Sequence, residues 1–261
     1  MILAIDVGNS NIVLGCIDKE NTYFTARLST DPKKTSDEYA LMIRNLFHLH
    51  GLDRHGVEGA IISSVVPALS QPLQEAVRLV TGKSSLIVGS GVKTGLNIKM
   101  DNPAQVGADL IVDSVAACAK YAKPILIIDM GTATTMCVVD AHGNYLGGLI
   151  MPGPIVALNA LAARASQLSH VSLEAPPHVI GKNTTDCMKA GAVFGHAAMI
   201  DGVIDRVEEE LGMPAGTVVA TGGLAHIVVP NCRRKIVLDE NLMLHGLLIL
   251  YDKNVPRNQN S

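Results

Sequence analysis

Apolar residues fall in short blocks along the chain, and two sets of three blocks share one layout. Residues 2–6, 11–17 and 22–28 read as strands separated by Gly8-Asn9 and Lys19-Glu20-Asn21. Residues 125–128, 134–140 and 145–150 repeat the layout after Lys123-Pro124. In each set the first block ends in a carboxylate and a glycine, Asp6 with Gly8 and Asp129 with Gly131, spaced by 123 positions. Between the sets the period changes. Ser36-Asp37-Glu38 opens a stretch with Tyr39, Met42, Ile43, Leu46 and Phe47 at helical spacing, which Gly51 stops. A buried strand at 59–64, a helix at 67–80 and a strand at 86–88 follow. After the break at Asn102-Pro103, a helix over 104–121 leads into the second set. A helix starts at Pro152-Gly153-Pro154, and a long helical region covers 185–211. A strand at 217–220 ends in Thr221-Gly222-Gly223, and a last helix spans 241–251 before a polar tail from Lys253 that is expected to fray.

Strands interleaved with helices predict an α/β protein. The repeat predicts two similar halves with mixed sheets and flanking helices, facing each other across a cleft. The border is expected near 115, giving an N-terminal lobe 1–115 and a C-terminal lobe 116–261. Hydrophobic residues make up 48% of the 261, and 17% are charged, so a large core is expected and disorder is not. A net charge of -3, five Tyr, three Phe and no Trp argue against nucleic-acid and anionic membrane surfaces. Met1 leads straight into an apolar strand without a basic leader, and apolar runs are interrupted before membrane-spanning length, so a soluble cytoplasmic protein is expected. The five cysteines lack metal-ligand spacing and read as free thiols.

The duplicated turns carry the candidate chemistry. Gly8 and Gly131 let a backbone approach an anion or take positive φ. Asn9, Ser10, Asn11, Thr132, Thr134 and Thr135 can donate to phosphate oxygens. Asp6 and Asp129 end strands, where a carboxylate needs a cation or backbone donors. One such turn is an ordinary hairpin; two with matched flanks point to phosphate binding. Gly222 and Gly223 allow the main chain to lie against a flat ligand such as adenosine, although alone the pair reads as a structural turn. Asp109, after Gly107-Ala108, opens a helix and is either a structural helix-start carboxylate or a base facing a cleft.

Taken in order, Asp6-Val7-Gly8-Asn9-Ser10, Gly107-Ala108-Asp109, the run from Asp129 to Thr135, the run from Gly147 to Gly153, Asn183-Thr184-Thr185 and Thr221-Gly222-Gly223 resemble the actin, sugar-kinase and heat-shock-chaperone ATPases. Within that superfamily, over nearly the whole chain, they are most similar to type III pantothenate kinases. The resemblance implies two ribonuclease-H-like lobes around ATP. It implies ATP contacts from Asp6, Val7, Gly8, Asn9, Ser10, Asn11, Ile12 and Val13, from Gly131 and Thr132, and from Gly222 and Gly223. Pantothenate is implied as substrate, with contacts from Met100, Gly107, Ala108, Asp109, Leu110 and Thr184, the last supplied by the partner of a homodimer. Asp109 is implied as the catalytic base, Asp6 as organiser of Mg²⁺-ATP, and Asp129 as ligand of a monovalent cation, K⁺ or NH₄⁺.

The chain departs from that pattern twice. Leu110 stands where an arginine usually follows the aspartate, and Met100 where a tyrosine is often found. Both changes remove polar groups, so two other readings stand beside pantothenate phosphorylation: a kinase of the same fold acting on another small alcohol, and a nucleotide-binding regulator without turnover. Gly181-Lys182-Asn183-Thr184 is not a P-loop, since Pro176 occupies the required glycine position. His48, His50 and His55 read as a helix end and its loop, with no acidic or cysteine partners for a metal.

Overall fold

The matched sequence blocks fold into matched sheets. The protein is described here from a computed structural model covering residues 1–165 and 167–255. Most of the tail expected to fray lies outside the described residues. Two compact units arise, one comprising Met1–Gly95, Asn102–Ala116 and the stretch from Leu242, the other Leu96–Asp101 and Ala117–Asn241.

In unit 1, β1 (Ile2–Val7), β2 (Asn11–Ile17) and β3 (Thr22–Ser29) form an antiparallel meander, and β4 (Gly59–Ser64) and β5 (Ser85–Ile87) extend it in parallel. The order is β3-β2-β1-β4-β5. Helices α1 (Ser36–Leu49) and α2 (Pro67–Thr81) pack together beside this sheet. Thr35 and Glu38 close a reciprocal capping box at the start of α1, satisfying two backbone donors. Tyr39, Ile43 and Phe47 of α1 and Leu69, Leu73 and Val77 of α2 share a buried cluster with Leu3, Ile5 and Val7 of β1.

Unit 2 repeats the plan. A two-residue β6 (Asn97–Ile98) precedes β7 (Ile125–Met130), β8 (Ala133–Val139), β9 (Asn144–Pro152), β10 (Thr217–Thr221) and β11 (Val237–Leu238). Strands β9-β8-β7-β10-β11 reproduce the order and sense of the first sheet, with β6 added beyond β9. In both β1 and β7 four buried residues precede a half-buried aspartate and a buried last residue. Each turn is closed by its glycine, Gly8 N donating to Asn11 O and Gly131 N to Ala133 O, both at 2.9 Å, and the second turn is one residue shorter.

The helix expected over 104–121 begins later. Asn102 caps a 3₁₀ turn at Pro103–Gln105, and α3 (Ala108–Lys120) follows, so Asp109 lies in its first turn. Unit 2 carries α4 (Pro154–Arg164), α5 (Thr184–Leu211) and the four-residue α6 (Ala225–Val228). At 28 residues α5 is long and apolar enough, by length and composition, to cross a membrane, contrary to the expectation of interrupted apolar runs. Its Ala197, Ile200 and Ile204 are buried against Leu126 and Ile128 of β7 and Val218 and Ala220 of β10, as in the core helix of a globular unit.

The units are not contiguous lobes. The chain crosses between them at 95–96, at 101–102, within α3 at 116–117 and at 241–242, so that α7 (Leu242–Asn254) belongs to unit 1. Glycines make this possible. A Cβ on Gly15 of β2 would lie 2.6 Å from Leu244, and one on Gly59 of β4 only 1.9 Å from the Tyr251 hydroxyl. On α7 itself, a Cβ on Gly246 would meet Val112 O of α3 at 2.2 Å. All five cysteines are free, and burial pushes the Cys16 and Cys232 thiols up to about 11, which makes them poor nucleophiles.

Candidate active site

The first turn is presented at the C-terminal end of β1. Thr30 fixes it from beyond β3: its hydroxyl donates to Gly8 O at 2.7 Å and its N–H to Ser10 O at 3.1 Å. Nothing in the sequence singles out Thr30, because two strands, β2 and β3, separate it from its partners Gly8 and Ser10. Asn9, Ser10 and Asn11 are exposed donors at the tip. Val7 and Ile12 are fully buried, so they can reach a ligand only through the backbone, and Val7 O already accepts from Val65 N. Gly8 and Gly131 do not take positive φ. A Cβ at Gly8 would crowd Asn11 O at 3.1 Å, whereas one at Gly131 would meet the protein only at 3.8 Å. The glycine at 131 therefore leaves open space over its turn. Asp6 is paired in register with Val13 on β2 and Ser63 on β4. The Ser63 hydroxyl is buried with no hydrogen-bond partner, an orphaned oxygen in the row that carries Asp6.

Asp109 also belongs to unit 1. Its Oδ1 accepts from Leu110 N at 2.9 Å and lies over Gly107, where a Cβ would approach it to 2.4 Å. Burial holds the carboxyl above the usual carboxylate range, and backbone N–H donors at Leu110 and Asp109 offset part of that rise. Gly107, Ala108 and Leu110 are all half-buried around it.

In unit 2 the equivalent turn differs in which side chains reach solvent. Thr132 is exposed, and its carbonyl accepts from Gly153 N at 3.1 Å. Thr134 is buried on the face that carries Met136 and Val138, so its expected donation to phosphate is not available. Thr135 faces the other way, opposite Asp129 across β7 and β8, and its hydroxyl is buried without a hydrogen-bond partner. On the other flank Thr221 is in register with Asp129. Gly222, at φ +90°, lets the Asp129 carboxylate lie where a Cβ would come within 2.2 Å of Oδ1. One carboxylate is thus flanked by two threonines and a bare stretch of backbone.

The remaining candidates lie apart in the chain but within unit 2. Met100 is partly exposed, and its sulfur is 3.0 Å from where a Cβ on Gly147 would be. Thr184 is exposed at the first position of α5, after Asn183, whose side chain accepts from Asp186 N at 2.8 Å. Among the described residues no cluster of three or more His, Cys, Asp or Glu side chains could hold a metal by itself.

A duplicated five-strand sheet with an aspartate-bearing turn at the end of each first strand defines the actin, sugar-kinase and heat-shock ATPase fold. Solved structures of that fold align along nearly the whole chain. Component A of (R)-2-hydroxyglutaryl-CoA dehydratase from Acidaminococcus fermentans matches with a TM-score of 0.56 at 14% identity, over 96% of both chains. A ROK family glucokinase from Streptomyces griseus, in complex with glucose and AMPPNP, matches at 0.50 and 13% identity over 96% of this chain and 98% of its own. At such identities the likeness shows the fold alone.

Sequence narrows the class. The family model for type III pantothenate kinase matches residues 2–206. A type III pantothenate kinase from Moorella thermoacetica is 46% identical, covering 97% of this chain and all of its own length. Another, from an Exiguobacterium species, is 44% identical over 97% of this chain and 99% of its own. The chain belongs to the type III pantothenate kinase family.

Proposed function

We propose that this chain transfers the γ-phosphoryl group of ATP to the primary hydroxyl of pantothenate, giving 4′-phosphopantothenate and ADP in the first step of coenzyme A synthesis. The observation that carries the mechanism is Asp109, a half-buried carboxylate held over Gly107 with its proton affinity raised by burial. In this reading Asp109 takes the hydroxyl proton as that oxygen attacks the γ-phosphorus, and ADP leaves from the opposite side. A base whose pKa is lifted toward the working pH accepts that proton more readily than an ordinary aspartate. Positioning and charge neutralisation supply most of the remaining rate, as in other phosphoryl transfers.

The turns hold the triphosphate in this account. Asn9, Ser10 and Asn11 donate from the first turn and Thr132 from the second, while Gly222 and Gly223 support the adenosine. Mg²⁺ travels with ATP, which supplies most of its ligands, and Asp6 beside the orphaned Ser63 hydroxyl suits its water shell. Asp129 is assigned to a monovalent cation, K⁺ or NH₄⁺, whose charge would offset the triphosphate. The donor set fits a hard ion: a carboxylate, the unpartnered Thr135 hydroxyl and nearby carbonyls are all oxygen. Replacing K⁺ by Na⁺ is expected to cut turnover severalfold in the wild type and to change nothing in Asp129→Asn; equal rates of wild type in both salts would defeat the assignment. Leu110 and Met100 are each assigned to pantothenate as apolar rather than polar contacts.

We assign the protein to homodimers, with Thr184 serving the partner's site. The support is the number of exposed apolar side chains on unit 2: Ile150 of β9 is 78% exposed and Leu161 of α4 51%, and Ile155, Val156, Val179 and Ile180 are exposed as well. Ile150→Glu should shift sedimentation toward the monomer and raise the KM for pantothenate.

Product identification tests the reaction itself. Mass spectrometry after incubation with ATP, Mg²⁺, K⁺ and pantothenate should find 4′-phosphopantothenate. Phosphorylation of a different alcohol, with pantothenate left intact, would replace the substrate while keeping the fold and the base.

A further inference from the structure

The opposite end of unit 1 carries a cavity that phosphoryl transfer does not use. The Asp6 turn lies at the C-terminal end of β1, and β4 runs parallel to β1. The segment joining α1 to β4 lies at the other end, where Glu58 N donates to Met1 O at 2.9 Å. A strand of this length, at about 3.3 Å per residue, separates the two ends by roughly 17 Å. There the last turns of α1 and the 3₁₀ turn Arg54–Gly56 surround a cavity of about 410 Å³, within the range of small-molecule sites.

The lining is cationic over an apolar base. Arg44 and His48 come from successive turns of α1, and Arg54 and His55 from the 3₁₀ turn. Phe47, buried in the core, and Leu52 supply the apolar wall. Asp53 is the one carboxylate in the lining, and its Oδ1 is committed to His55 N at 2.9 Å, capping the turn. Among the described residues neither Arg44 nor Arg54 is in an ion pair. The Arg54 Nε–H is moreover buried with no hydrogen-bond partner. A buried guanidinium donor without an acceptor is costly, and a small shift of the Arg54 side chain that brings this N–H to an anion in the cavity removes that cost.

We propose that this cavity binds a small phosphate-bearing anion, its phosphoryl oxygens held by the guanidinium groups of Arg54 and Arg44 and its remainder lying against Leu52. Guanidinium forks match phosphoryl oxygens in pairs, which sets this site apart from a diffuse basic patch. The test follows the Arg54 Nε–Hε signal by ¹⁵N NMR of the full chain during titration with inorganic pyrophosphate. MgAMPPNP is kept saturating and ionic strength is held constant with NaCl. A saturable shift is expected, with affinity weakened about tenfold or more in Arg44→Gln, as loss of a charge-assisted contact requires. No saturable shift in the wild type, the same shift with NaCl alone, or unchanged affinity in Arg44→Gln would overturn the proposal. The signal reports this cavity directly, so the outcome is independent of whether pantothenate is the substrate.

Discussion

Asp109→Asn is expected to lower turnover with pantothenate by about 10³-fold, the middle of the range for loss of a general base, while ATP binding stays within error and the protein becomes more stable. The two effects have one origin. Burial raises the Asp109 pKa above its value in the unfolded chain. A carboxyl so shifted favours the native state fully at pH below its unfolded value, and that contribution is lost as pH rises through the folded value. At neutral pH the ionised side chain therefore costs stability, and a neutral amide of the same shape removes the cost. Chemical denaturation at pH 7 should show a higher midpoint for the variant, with the gap closing toward acid pH as wild-type Asp109 is protonated. The acid limb of the wild-type kcat/KM profile should lie above the usual carboxylate range for the same reason. A variant with normal turnover, or with lower stability at pH 7, would remove Asp109 from this role. Gly107→Ala gives a gentler version: the added Cβ, 2.4 Å from the carboxylate, should displace it and cut turnover at least about tenfold without unfolding the chain.

Gly222→Ala is expected to cost about 2–4 kcal/mol of stability. Backbone at φ +90° disfavours any Cβ, and this one would lie 2.2 Å from Asp129 Oδ1 and 2.6 Å from Met130 N. Relief requires moving either the carboxylate or the end of β7, so monovalent-cation dependence should fall along with stability. Urea unfolding measures the first and turnover in K⁺ against Na⁺ the second. Gly202→Ala serves as the control: nothing lies within 4 Å of its Cβ in the middle of α5, and a gain of up to about 1 kcal/mol is expected from helix propensity alone. A Gly222→Ala protein as stable as the control would show that Asp129 is not braced by that backbone.

Much of this was legible in the sequence because the informative signals are local. Alternating apolar residues and the Asp6-Gly8 and Asp129-Gly131 turns gave the strand meanders, and their repetition gave two like units. Period-two alternation also places Thr134 on the face of Met136 and Val138, in the core. Other features depend on contacts between distant segments. The return of α7 to unit 1 is set by how Gly15 and Gly59 receive Leu244 and Tyr251, and no pattern within 242–254 reveals that. β6 and β11 have two residues each, too few to show a period. The support of the first turn by Thr30 and the burial of Asp109 likewise appear only once the chain is folded.

Pantothenate-dependent release of ADP tests the account most directly. In a coupled assay with ATP, Mg²⁺ and K⁺, the wild-type chain should turn over only when pantothenate is added. The same assay should show near-background rates for Asp109→Asn. Tight ATP binding accompanied by no ADP release on adding pantothenate would contradict the account at its centre.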